Sequence, residues 1–348
     1  MEYCAVIPSY RPDARLIETI QSLHAVGFAH IFVVNDGSGA DYDAYFEQAA
    51  AQPGVVLLRH TINMGKGRAM KTGFCAVLEQ QPGCPAVVVD GDGQHPAPAA
   101  LQAVELAAAH PDALILGCRR FLRQKSMPLP NLIGNLLTRA AFFLLTGIAF
   151  SDTQCGLRAY PPAVMRRICE VSGERFELEN NTLLAVRRQR IPVVEFGMEV
   201  VYAPKGSYVT TFRKAADSAR IARALLDFAC IPLLLGLLSV LAAFCFLPAQ
   251  PRPSEAGWIT ALALLAGKLL LIPGTRRKGA VAGYAVGISA AYGWITAALL
   301  HWTGWYFSAV FGVLLVPFAL FSFAWYRLAA YGRAPKRLVL PESPHSGE

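Results

Sequence analysis

Short apolar runs and amphipathic stretches take turns along the first third of the chain. Tyr3–Ile7, Ile31–Val34, Val55–Arg59, Ala86–Val89 and Ala113–Gly117 are brief, β-rich and apolar. Between them, Ala14–Ala25, Tyr42–Ala51, Gly67–Glu79 and Pro98–Ala109 carry apolar residues at helical spacing. Strands apolar on both faces, each followed by a helix, predict a mostly parallel sheet covered on both sides. In such sheets ligands bind beyond the carboxyl ends of the strands. The polar residues that follow each strand are therefore read as one group.

A second pattern takes over further on. From Phe228 to Tyr326 only six side chains are charged: Arg252, Glu255, Lys268, Arg276, Arg277 and Lys278. A bilayer core about 30 Å thick needs roughly 20 apolar residues of helix. Four stretches come near that length, Leu225–Leu247, Trp258–Pro273, Ala280–Leu300 and Trp305–Tyr326, the second being short and interrupted by Lys268. The loop Gly274–Gly279 holds three basic residues, and Arg327, Arg333, Lys336 and Arg337 follow the last stretch. The loop around His301–Gly304 has no lysine or arginine. This alternation predicts four spans with both ends cytoplasmic. Trp258, Trp302, Trp305, Tyr306 and Trp325 fall near the span ends, where aromatic belts form. The expected organisation is a globular head over residues 1–204, an interfacial segment over 205–227, four transmembrane helices over 228–326 and a cytoplasmic tail over 327–348.

Composition narrows this picture. The chain has 348 residues and a formal charge of +8. Loop charges that set topology account for most of that excess, so it does not point to nucleic acid. Eight cysteines show no Cys-x-x-Cys pair, which argues against zinc and against a disulfide framework. The N-terminal residues enter the Cys4–Pro8 run directly and do not resemble a signal peptide. The expectation is an integral protein of the cytoplasmic membrane whose head stays on the cytoplasmic side, where thiols are reduced.

The residues after the strands are Pro8-Ser9-Tyr10, Asn35-Asp36-Gly37-Ser38 and Asp90-Gly-Asp-Gly-Gln-His95. Asp36 and Ser38 fit either a ligand contact or an ordinary helix cap. Asp90 and Asp92 concentrate negative charge at a strand end. Mg²⁺ is commonly held by one or two carboxylates together with substrate phosphates, and an EF-hand would need further oxygen ligands at other spacings. Asn63-Met-Gly-Lys-Gly-Arg-Ala opens a helix after the third strand. It fits a phosphate-binding turn or a tight turn with solvated Lys66 and Arg68, and it lacks Walker A spacing.

Together these elements resemble family 2 glycosyltransferases of the GT-A fold, a Rossmann-like α/β architecture. The likeness is greatest to the polyprenyl-phosphate sugar synthases of the dolichyl-phosphate mannose synthase and bactoprenol glucosyltransferase type. It rests on Val6-Ile-Pro-Ser-Tyr, Val34-Asn-Asp-Gly-Ser, Asn63-Met-Gly-Lys-Gly-Arg-Ala, Asp90-Gly-Asp-Gly-Gln-His, Gly117-Cys-Arg, Asp152-Thr-Gln-Cys-Gly-Leu-Arg and Phe176-Glu-Leu-Glu, in family order. The resemblance implies that Pro8, Tyr10, Asp36, Lys66, Asp90 and Gln154 line the donor side. It also implies that Asp92 and Gln94 hold Mg²⁺ or Mn²⁺. Arg119, Arg158, Arg213 and Lys214 would meet the acceptor phosphate. Asp152, Asp90 and Arg119 would be the catalytic group, with Asp152 the candidate base and an ion pair to Arg158 its alternative role. Asn35 replaces the family's first acidic residue, and Arg11-Pro12 follow Tyr10 where an acidic residue is usual. Uracil and guanine therefore both stay open as the donor base.

The implied partners are a UDP- or GDP-linked sugar, a polyprenyl phosphate such as undecaprenyl phosphate, the membrane, and a second copy if the helices self-assemble. A lipid phosphate is already anionic, so it needs positioning more than deprotonation. The segment Arg119–Asn135, with Arg123, Lys125 and two prolines, reads as a flap over the acceptor. A processive polysaccharide synthase would carry a Gln-x-x-Arg-Trp element, which this chain lacks. Two alternatives remain: another lipid acceptor, or a membrane protein moving lipid-linked sugars with a non-catalytic head. The second rests on a loose likeness of Ser322-Phe-Ala-Trp-Tyr-Arg to GtrA-like proteins.

Overall fold

The structure, a computed structural model, describes residues 2–119, 129–198, 252–269, 278–303 and 326–340, with 219–221, 223 and 323. The chain forms two compact units. One comprises Met1–Phe143, Ile148–Ala224 and Pro335–Glu348, and the other Leu144–Gly147 and Leu225–Ala334.

The first unit is built on an eight-stranded sheet: β1 (Cys4–Ser9), β2 (His30–Asp36), β3 (Val55–His60), β4 (Ala86–Val88), β5 (Leu114–Arg119), β6 (Arg158–Tyr160), β7 (Val193–Met198) and β8 (Arg337–Val339). Their order is β3-β2-β1-β4-β6-β5-β7-β8. Every pairing is parallel except those of β6, which runs antiparallel between β4 and β5. The α/β head with a mostly parallel sheet is thus what the chain forms. The chain runs from β1 out to β2 and β3, then crosses back to β4 on the other side of β1, and the crevice at such a switch of direction is where open α/β sheets bind ligands.

Helices cover both faces. Leu16, Ile20 and Leu23 of α1 (Arg15–Ala25) and Ala100, Ala103 and Val104 of α4 (Ala97–Ala109) pack on Ala5, Ile7, Ile31, Val33 and Val87. Successive strand residues point to opposite faces, so Val6 meets the other layer. There Gly73 of α3 (Lys66–Gln80) lies so close that a Cβ would stand 2.4 Å from Val6 Cγ1. Phe74 of the same helix stacks at 4.8 Å on Tyr160. The remaining helices of this unit are α2 (Asp43–Ala50), α5 (Leu129–Thr146, whose last turn falls in the second unit), α6 (Pro162–Cys169) and α7 (Glu177–Gln189).

Several elements differ from the sequence expectation. Residues 129–135, expected in a flap, are the first turns of α5, because Leu129, Leu132 and the later apolar residues continue at helical spacing. The five strands named from the pattern end at residue 117, and the sheet has three more, β6, β7 and β8. Strands of three residues such as β6 and β8 carry too little periodicity to be seen.

In the second unit, α8 (Pro253–Leu269) packs beside α9 (Lys278–Thr303). Among the described residues, one helix, Lys278–Trp302, is long and apolar enough to cross a membrane. Of the four expected spans, Leu225–Leu247 and nearly all of Trp305–Tyr326 lie outside the described residues, as does most of 205–227. The two described helices meet through small residues. A Cβ on Gly293 would stand 2.4 Å from the Gly257 carbonyl oxygen and 2.8 Å from Ala261 Cβ. Large apolar side chains point outward instead, with Trp294 74% exposed and Leu262 62%. Gly293→Leu should therefore part the helices and cost about 1–3 kcal/mol through overpacking. Gly283→Leu, on the same helix but facing open space, should be tolerated. Thermal unfolding of the two full-length variants side by side checks this.

Candidate active site

The ends of β1 and β2 are tied together first. Gly37 adopts φ +67° and lies against Ile62, whose carbonyl carbon would be 2.2 Å from a Cβ there. Only glycine fits that turn. Asn35 Oδ1 accepts the Ser38 N–H at 3.0 Å, and Ser38 Oγ accepts the Arg11 N–H at 2.9 Å. The asparagine that replaces the family's acid is thus a turn-forming side chain. Pro8 and Tyr10 sit half-buried at the end of β1, with the Arg11 guanidinium 5.1 Å from the Tyr10 ring centre.

Asp36 is buried, and both of its oxygens are engaged. Oδ1 accepts the Met64 N–H at 2.8 Å and lies 2.8 Å from His60 Nδ1, while Oδ2 accepts the Gly65 N–H at 2.7 Å. His60 Nε2 in turn lies 2.9 Å from Thr72 Oγ1. Asp36 therefore fastens the Asn63–Gly65 turn, and with it the start of α3, to the sheet. The glycines at this junction serve close packing. A Cβ on Gly65 would be 2.5 Å from the Glu174 carbonyl oxygen, and one on Gly67 would be 2.8 Å from the Arg175 carbonyl oxygen.

This packing aims Lys66 inward. Its Nζ lies 2.7 Å from Asp90 Oδ1 and 2.8 Å from Glu179 Oε1, with 15% of the side chain exposed. Burial alone would lower the lysine pKa, but the charges of Asp90 and Glu179 raise it well above the ordinary value. Burial likewise would raise the Asp90 pKa, and the Lys66 charge brings it below the usual carboxylate value. His95 Nδ1 accepts the Asp90 N–H at 3.2 Å, and burial lowers the imidazole pKa. Asp92 goes the other way: burial and then the neighbouring Asp90 charge push its carboxyl up. Its Oδ1 accepts the Gln94 N–H at 3.1 Å.

The segment from Asp152 to Arg158 adjoins this cluster, since a Cβ on Gly156 would be 3.0 Å from Asp90 Oδ2 and 3.5 Å from Lys66 Nζ. Asp152 is fully enclosed. Arg119 Nε donates to its Oδ2 at 2.7 Å and Arg119 Nη2 to its Oδ1 at 3.0 Å, a bidentate pair. The Arg119 N–H, Asn135 Nδ2 and the Gln154 N–H complete the set at 3.2, 2.9 and 2.9 Å. Burial would raise the Asp152 pKa, yet the Arg119 hydrogen bonds hold it below the ordinary value. A carboxylate so held accepts a proton poorly. It orients Arg119, and the alternative ion pair with Arg158 does not form.

Arg158 is buried and donates to the carbonyl oxygens of Cys155 at 3.1 Å and Glu179 at 2.5 Å. Its guanidinium braces the site from within and does not reach solvent. Gln154 is exposed, and its Nε2 lies 3.5 Å from Thr138 Oγ1. Arg213 and Lys214 lie outside the described residues. Sequence reasoning gave Glu179, His95 and Asn135 no role. For Glu179 the signal was present, as the fourth residue of Phe176-Glu-Leu-Glu.

The residues present suit a divalent cation. Asp90, Asp92 and Glu179 set three carboxylates against the one ammonium of Lys66, and the proton affinity of Asp92 is raised. Asp92 and Gln94 offer hard oxygen donors. Among the described residues no three His, Cys, Asp or Glu side chains converge to hold a metal by themselves, so the remaining ligands would come from a diphosphate or water.

The Asp152 pKa gives a stability prediction. Because the folded value is depressed, its contribution is complete above the unfolded pKa of about 4 and is lost as pH falls through the folded value. Asp152→Asn should therefore destabilise the head at pH 7 by about 1–3 kcal/mol. The gap to the native chain should close below about pH 4. Thermal melts of the full chain from pH 3 to 8 measure it.

Residues 4–167 match the pattern of glycosyl transferase family 2. The chain is 24% identical over 213 residues to UDP-N-acetylglucosamine–dolichyl-phosphate N-acetylglucosaminyltransferase of Methanococcus voltae, covering 57% of this chain and 84% of that one. It is 26% identical over 239 residues to dolichyl-phosphate beta-glucosyltransferase ALG5D of Trichomonas vaginalis, covering 62% and 72%. A solved structure, glucosyl-3-phosphoglycerate synthase of Mycobacterium tuberculosis with Mn²⁺, UDP and phosphoglyceric acid, aligns with 65% of this chain and 78% of that one at a TM-score of 0.46 and 14% identity. Residues 4–167 thus carry the glycosyl transferase family 2 pattern, and the protein is a glycosyltransferase.

Proposed function

We propose that the protein moves a sugar from a nucleotide-diphosphate sugar to a polyprenyl phosphate at the cytoplasmic face of a membrane. The observation that carries this reading is the Lys66–Asp90–Glu179 cluster with Asp92 beside it, at the strand ends where an α/β sheet takes its ligand. Two relatives whose names specify dolichyl phosphate as acceptor support a lipid phosphate here.

The sheet also constrains the membrane reading by a topological argument. β7 ends at Met198 and β8 begins at Arg337, and the two pair in one sheet. Whatever the intervening chain traverses, it leaves and returns to the same domain, so it crosses any bilayer an even number of times. Small residues at the α8–α9 contact and large apolar ones facing outward suit a lipid environment, where packing without a hydrophobic driving force favours glycine and alanine.

In this mechanism Pro8 and Tyr10 border the nucleoside, and Asp36 acts indirectly by fixing the loop that carries Lys66. Lys66 remains cationic between its two carboxylates and stands where sugar and diphosphate meet. Asp92 and the Gln94 amide oxygen would hold Mg²⁺ or Mn²⁺, which neutralises the leaving diphosphate when bound. Arg119, oriented by Asp152, receives the acceptor phosphate, helped by Arg213 or Lys214. The acceptor oxygen is already anionic and needs no strong base. Attack opposite the diphosphate inverts the anomeric centre.

The full-length protein mixed with undecaprenyl phosphate, Mg²⁺ or Mn²⁺ and labelled UDP- and GDP-sugars should yield labelled lipid, and EDTA should abolish the product. Asp92→Asn should lower turnover by about 10²–10³-fold, the scale on which an electrostatic stabiliser of a leaving group acts. Glu179→Gln leaves Lys66 with one anionic partner, and its turnover should fall by about tenfold or more. Label appearing only in water-soluble products, with a folded protein and every donor tried, would overturn the lipid-acceptor reading.

A further inference from the structure

Glu195 of β7 is wholly buried, and a carboxylate in that position needs charged or hydrogen-bonding partners. It has two. The Ser151 N–H donates to its oxygens at 3.1 and 3.3 Å, and Arg337 Nη2 lies 2.6 Å from Oε2. The same Arg337 nitrogen donates to Ser151 Oγ at 2.7 Å. Arg337 belongs to β8, which reaches the sheet from the far side of the apolar region. The Val193 N–H donates to the Lys336 carbonyl oxygen at 2.9 Å and the Leu340 N–H to the Glu195 carbonyl oxygen at 2.9 Å, while Leu340 packs on the core. Ser151 is the residue before Asp152, whose carboxylate aims Arg119.

We infer that Arg337 is a positioning residue for sugar transfer. The tail strand delivers its guanidinium to Glu195, the pair fixes Ser151, and Ser151 sets the carboxylate that orients Arg119. Lys66 is held by Asp90 and Glu179, and Glu195 by Ser151 and Arg337, so donor binding should depend on the tail strand less than transfer does. The consequence is a head that can hold its donor from residues 1–198 alone but becomes competent for transfer only when the chain has passed through the apolar region and returned. This inference rests on the reading of Arg119 as the acceptor-side residue.

The test uses the full-length protein in detergent or nanodiscs, with amide hydrogen exchange and transfer kinetics run in parallel. In Arg337→Met, exchange at Ser151, Gln154 and Arg119 should quicken by about tenfold or more, with the amides of β1 to β3 unchanged. With the active donor and undecaprenyl phosphate, kcat should fall by about tenfold or more while the donor KM stays within about twofold. Arg337→Lys keeps the charge but not the forked geometry and should recover part of the loss. If Arg337→Met fails to fold, Glu195→Gln/Arg337→Met avoids an unpaired buried charge and should show the same faster exchange at Ser151. Faster exchange confined to β7 and β8, with Ser151 to Gln154 still protected and kcat unchanged, would overturn the inference. Should no donor give labelled lipid with the native chain, the lipid-acceptor reading fails alone, and the exchange at Ser151 still decides the role of Arg337.

Discussion

The site is organised around one cation that cannot be left alone. A lysine with most of its side chain out of water keeps its charge only if anions are held against it, and Lys66 has two, brought by different parts of the chain. Asp90 comes from the end of β4, and Glu179 from the first turn of α7. Removing an ion from water costs several kcal/mol even after relaxation, so the three positions are mutually obligatory. Much of the local sequence follows from that. Asp36 clamps the loop preceding Lys66, Gly65 and Gly67 let residues 174–178 come close enough to present Glu179, and Gly156 leaves room over Asp90. The surplus of negative charge that remains, centred on Asp92, is what a divalent cation would balance.

The parts of this arrangement that were legible in the sequence are those with strong local signals. β1 to β5 and α1 to α4 lie within two residues of their expected bounds, because buried strands and amphipathic helices leave clear periodicities. Asp90, Asp92 and Lys66 were legible as residues that follow strands. What local pattern cannot supply is the partner of a side chain. The sequence alternatives for Asp152 were a base or an ion pair with Arg158, six residues away. The partner is Arg119, thirty-three residues earlier and across β5 and β6. Arg158, an arginine in a polar motif, gave no sign that it would spend its donors on buried carbonyls. Asp36 likewise reads as a ligand contact until the backbone of Met64 and Gly65 is seen to occupy it.

The eighth strand was the least legible element, and it constrains the most. Three residues with half-buried and exposed side chains carry no strand signal, and what fixes them is the buried Glu195 on the neighbouring strand. Long-range pairing of this kind has a high entropic cost of closure, yet that cost grows only logarithmically with the length of the loop. The large apolar insertion between β7 and β8 therefore adds little to the penalty of docking the tail, provided the chain emerges where it entered. A buried carboxylate at the sheet edge makes the docking specific, since no apolar strand could replace Arg337 without leaving that charge unpaired. The edge of a sheet is also a liability when open. β8 covers β7 with a three-residue strand from the same chain, so one short segment both shortens the exposed edge and neutralises Glu195.

These two ionic centres divide the work of the head. The Lys66 cluster stands at the switch point between β1 and β4, where the backbone turns leave space for a ligand. The Arg119–Asp152 pair stands over β5 and β6, where α5 contributes Asn135 from above the sheet. Group transfer needs both substrates fixed before reaction, because most of the advantage of an enclosed site comes from prepaid orientation. An arrangement in which Lys66 is held by residues before position 180, while the Arg119–Asp152 pair adjoins Ser151, itself tied to the returning tail, makes the two halves separable. The first can form on any folded head. The second is tied through Ser151 to Glu195 and Arg337, so its geometry is linked to the strand that follows the apolar region.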